Sequence, residues 1–118
     1  MVLFRYADAL LMKAEAETRS KTNTGDALHL VNQVRERAYS NADHDWKQQD
    51  LTLPNLLAER QREFAWEFWG RNDAICFGTF GDARVPEKKK DKDAHLELFP
   101  IPAPQISSNP NLKQNPGY

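Results

Sequence analysis

The sequence has a single cysteine, Cys76, in 118 residues, so no internal disulfide can form. That thiol falls inside an apolar-periodic run and reads as a buried, inert side chain rather than a nucleophile. No apolar run approaches the roughly 20 residues a membrane-spanning helix needs. Charge of one sign is missing too: 16 Lys and Arg meet 17 Asp and Glu, a net charge of −1, against the basic face of a nucleic-acid module. His29, His44 and His95 lack metal-ligand spacing, and Asp43-His44-Asp45 is only a feeble cluster, so no metal is expected. A Gly-rich phosphate loop and a nucleophile elbow are also lacking, and no cofactor is expected. At this length the chain reads as one domain with a modest core.

The longest apolar-periodic stretch is Leu53 to Gly78. Leu53, Leu56, Leu57, Phe64, Phe68 and Ile75 recur at helical steps and form one stripe. Thr52 stands where an N-cap would, Pro54 is tolerated in a first turn, and Gly78 is a stop signal. Gly70 is the weak point. The stretch therefore predicts a central helix over 52–78, or two abutting helices.

Residues 2–20 predict a helix with Leu3, Ala7, Leu10, Leu11 and Ala14 inside and Arg5, Asp8, Lys13, Glu15, Glu17 and Arg19 outside. The turn-rich run Ser20 to Gly25 follows, with Thr24 or Asp26 as the cap of a second helix ending near Tyr39. In that helix Ala27, Leu28, Val31, Val34 and Ala38 face one way, and the pair makes an αα-hairpin. Asn41 to Asp50 reads as a polar loop holding Trp46, a ring that either stacks on a sugar or, by a margin of about two to one, plugs the loop onto the core. Residues 81–94 carry a mixed-charge run and predict a solvated loop. Five of the seven prolines lie between Pro100 and Pro116, which predicts neither helix nor central strand. Leu96, Leu98, Phe99, Ile101, Ile106 and Leu112 recur through that segment, as in an extended tail laid over the helices and anchored by them. The fold class is therefore all-α.

Glu59, Glu63 and Glu67 are spaced four apart, and paired carboxylates can perform acid–base chemistry on a glycoside. Arg60, Arg62 and Arg71 interleave with them, and Glu67 to Arg71 has the favourable i,i+4 order, so an ion-pair ladder is the stronger reading. A glycosidase using Glu63 and Glu67 would lose hydrolysis without unfolding on neutralisation of either. The ladder instead predicts lost stability.

Four stretches together resemble the C-terminal part of the SusD/RagB family, surface glycan-binding lipoproteins of Bacteroidetes. Phe4 to Ala16 resembles R-x-A-[DE]-x-[LY]-L-x-x-A-E-A, and Ala27-Leu28 with Val31 to Ala38 resembles A-L-x-x-[IV]-N-x-V-R-x-R-A. Glu59-Arg60 through Glu67 to Arg71-x-Asp73 is similar to E-R-x-x-E-[FL]-A-x-E-G-x-R-x-x-D-L. Phe99 to Pro102, Asn109 to Leu112 and Gln114 to Tyr118 are similar to the terminal P-I-P…N-P-x-L-x-Q-N-P-G-Y signature. The chain departs from these patterns at Phe68 (usually Gly), Gly70 (Arg), Ala74 (Leu) and Cys76 (often Arg).

The resemblance implies one region over 1–118: a tetratricopeptide-like antiparallel helix pair (1–40), a long central helix (52–78), and a loop and Pro-rich tail (79–118) wrapped over the helices. It implies no catalysis. Oligosaccharide and a SusC-type TonB-dependent transporter are the partners of a complete, lipidated protein at the outer-membrane surface. This chain itself holds no signal or lipidation Cys, and Met1 leads straight into helical sequence, as in a chain that begins mid-protein. The family's usual sugar-binding loops precede the matched region, so no binding residue is carried over and the ligand-binding residues stay unknown beyond the low-weight candidate Trp46. Glu63, Glu67, Arg71 and Asp73 are implied to be interhelix polar clamps. The isolated chain is expected to bind glycan weakly or not at all. The alternative is a stand-alone helical interaction module that dimerises through bare faces.

Overall fold

The computed structural model describes residues 4–83 and 88–118. Among them are five α-helices and two short 3-10 turns, and no strand. The chain divides into two compact units, Met1–Asp73 and Ala74–Tyr118.

In the first unit, α1 (Tyr6–Ser20) and α2 (Thr24–Tyr39) are joined by a three-residue turn, residues 21–23. The turn is tight because Lys21 and Asn23 take left-handed φ angles of 56° and 49°. Thr22 N donates to Glu17 O and Lys21 N to Thr18 O, the paired bonds of a Schellman ending. So short a connection makes the helices antiparallel neighbours. Across them Lys13 Nζ lies 2.6 Å from Asp26. The N-cap of α2 is Asn23, without a side-chain cap bond, rather than Thr24 or Asp26.

Helix α1 starts at Tyr6, four residues later than the periodicity predicts; the expected start at residue 2 and Leu3 lie outside the described residues. Arg5 is extended, which frees its side chain to reach α3 (Leu53–Glu63). Thr52 caps α3 by accepting from Asn55 N at 3.3 Å, and Pro54 sits in its first turn. The core gathers Ala7, Leu11 and Ala14 of α1, Ala27, Leu30, Val31 and Val34 of α2, and Leu56, Leu57 and Phe64. Leu11, Leu56 and Val31 are fully enclosed. Two expectations reverse here. Asp8 and Glu17 are buried although their charge suggests the wet side, while Ala38 is exposed.

The central stretch is two helices, not one. Helix α3 ends at Glu63, residues 64–69 form turns, and α4 (Gly70–Cys76) begins at the glycine that looked like the break. The cause is backbone: Trp66 and Phe68 stand at φ 67° and 66°, outside any right-handed helix. Phe68, placed on the apolar stripe by its spacing, is therefore 85% exposed.

In the second unit α4 ends at Cys76, and the predicted stop, Gly78 (φ 69°), stands in the turn that follows, where Gly78 N donates to Ile75 O and Thr79 N to Ala74 O. Cys76 is exposed, not buried, since the helix ends there and presents it outward. Of the predicted charged loop, residues 84–87 lie outside the described residues. In the rest, Lys88 pairs with Asp91 at 2.8 Å and Asp91 N donates to Gly81 O.

The proline-rich segment does hold one short helix, α5 (Ala103–Ser108), which corrects the sequence reading. Pro102 caps it and Pro104 lies in its first turn, where a missing N–H costs nothing. The expected apolar anchors Leu98 and Phe99 are exposed. The tail is instead held by hydrogen bonds. Gln114 mimics a paired strand residue, accepting from Ile101 N at 2.8 Å and donating to Ile101 O at 2.9 Å. Asn115 Nδ2 donates to Phe99 O and the Tyr118 hydroxyl to Leu98 O. Gly117, at φ 94°, lies so close that an added Cβ would come within 2.5 Å of His95 Cβ.

Gly117→Ala is accordingly expected to open this latch, through left-handed strain and overlap with His95. Amide exchange at Ile101 should accelerate by about tenfold or more, the equivalent of roughly 1.4 kcal/mol of local opening. Unchanged exchange at Ile101 would contradict the latch.

Candidate functional site

The charged residues of the first unit assemble into three clusters. In the first, Arg5 reaches the C-terminal end of α3. Its Nε and Nη2 donate to the two oxygens of Glu67, each at 2.9 Å, and Nη1 donates to Glu63 at 2.6 Å. Nη2 also satisfies the Glu63 carbonyl at 2.7 Å, one of the orphan acceptors of a helix end. Arg37 of α2 grips both Glu63 oxygens at 2.5 and 2.6 Å. Its hydrogen bonds to Glu67 and then to Glu63 hold the Arg5 guanidinium above its ordinary pKa.

The second cluster is buried. Arg60 Nη2 lies 2.9 Å from both Asp8 of α1 and Asp73 of α4. All three are at most 5% exposed. Burial pulls the Arg60 pKa down, and Asp73 followed by Asp8 more than offsets this, leaving it raised. The ring of Phe64 lies between the Arg5 and Arg60 guanidinium groups, at 4.9 and 5.1 Å.

The third cluster ties α2 to α3 and holds the following loop. Arg35 Nη1 donates to Glu59 at 2.6 Å, and its Nε donates to His44 O at 2.7 Å. Its guanidinium faces the rings of Tyr39 and Trp46, each at 5.3 Å. Asn32 completes the hold by reciprocal bonds to the Trp46 backbone, 2.8 and 3.0 Å. Trp46 is thus half-buried, with its main chain fixed and its ring beside a cation.

Glu63, Glu67 and Asp73 therefore all bond to arginines from other elements. Glu67 engages Arg5 from a stretch, residues 64–69, that is not helical. Arg71 lines a groove. Sequence spacing missed Arg5, Asp8, Arg35 and Arg37 as members and gave Arg60 other partners than it has, since the partners of these residues stand on other elements, up to 62 residues away. Among the described residues no group of three His, Cys, Asp or Glu could hold a metal ion.

The groove lies at the turn between α3 and α4. It has a volume of about 450 Å³, and Trp66, Phe68, Trp69 and Arg71 line it above a floor that includes Arg60 and Asp73. Trp66 is 98% exposed. Arg60 Nε and Nη1 and Asp73 Oδ2 are closed to solvent and have no hydrogen-bond partner among the described residues.

A left-handed φ costs an L residue roughly 1–2 kcal/mol. Phe68→Gly should therefore raise stability by about 0.5–1 kcal/mol, the gain being reduced by glycine's larger unfolded-state entropy. Urea denaturation reads this, and a lower midpoint in the variant would contradict the strain.

The fold and clusters define a helical scaffold cross-tied by arginine–carboxylate clamps. The chain belongs to the SusD family, which it matches over residues 1–118. It is 34% identical to the starch-binding protein SusD of Bacteroides thetaiotaomicron, over 98% of this chain and 21% of that protein. It is likewise 34% identical to SusD-like protein P2 of Formosa agariphila, over 97% of this chain and 25% of that protein. The chain thus spans about a fifth to a quarter of the length of these curated relatives. No described helix is long and apolar enough to cross a membrane.

Proposed function

We propose that this chain is the C-terminal scaffold part of a SusD-like glycan-binding protein. The complete protein is a lipidated component of the outer-membrane surface that serves oligosaccharide uptake with a SusC-type TonB-dependent transporter. Glu63, Glu67, Arg71 and Asp73 act in it as interhelix clamps. The reading is supported above all by the use made of the motif residues: the family match covers the whole chain, and the carboxylates at its centre are bonded to arginines of other helices. The Glu63 carboxylate is gripped by Arg5 and Arg37 together, so its oxygens are engaged in ion pairs between elements of the fold rather than held open toward a substrate. The scaffold is therefore non-enzymatic.

Calorimetric titration of the chain with maltoheptaose tests this directly. A scaffold should give millimolar binding at best, whereas a micromolar Kd would place the principal glycan site within these residues and refute the reading.

A further inference from the structure

We draw no further inference here: the strongest candidate, the exposed Trp66 and Phe68 rings on the turn between α3 and α4, carries nothing, because the chain spans about a fifth to a quarter of its curated relatives and nothing in the structure shows what covers that face.

Discussion

Arg60→Ala should unfold the chain or cost it about 3–5 kcal/mol, the range found when one partner of a buried ion pair is removed. The reason is what remains. Asp8 and Asp73, each at most 5% exposed, would face one another with no counter-charge. Neither can reach water without moving α1 or α4, so the two carboxylates must protonate or the helices must part. Urea denaturation followed by helical ellipticity measures the loss. Combining Arg60→Met with Asp8→Asn and Asp73→Asn should recover most of it, because the whole charged cluster is then neutral. Equal loss in the triple variant would show that Arg60 acts through packing on Phe64 alone.

Arg35→Ala is expected to cost about 3 kcal/mol, toward the lower end of the same range because Glu59 keeps its bond to Arg62. The further consequence is local. Arg35 is the side chain that joins Glu59, the His44 carbonyl and the Trp46 ring. Without it the Trp46 backbone keeps its bonds to Asn32 but loses the neighbouring tie at His44 O, and hydrogen exchange at Trp46 N–H should rise well beyond the global change in stability. A Trp46 amide that exchanges only in step with global unfolding would contradict this role.

These clusters were also the least legible part of the molecule in its sequence. Helical periodicity reports which side chains are apolar, so α1, α2, the Thr52 cap and the Gly78 stop could be read directly. It carries no information about a charge buried against a partner from another helix. Asp8 and Arg60, 52 residues apart, each looked like surface residues until the fold brought them together. The division at residues 64–69 was hidden for a different reason. Phe64 and Phe68 keep a helical spacing, and nothing in an aromatic side chain announces a left-handed backbone. The hints were Gly70, where α4 begins, and the resemblance, whose pattern has Gly where Phe68 stands. In the tail, proline content was read as excluding any helix, but a first turn tolerates Pro104 and so α5 forms. The low-weight candidate Trp46 turned out to be tied into the Arg35 cluster, while Trp66 and Phe68, counted as helix residues, line the groove.

The scaffold account is tested most directly by exchange. In the starch-binding relative from Bacteroides thetaiotaomicron, the segment that this chain matches can be replaced by residues 1–118 and starch binding measured on the folded chimera. If the segment is scaffold, the chimera should fold and bind starch within about tenfold of the parent, since the principal site lies in the unexchanged part. A folded chimera that no longer binds starch would contradict the account and place the decisive contacts inside the exchanged region.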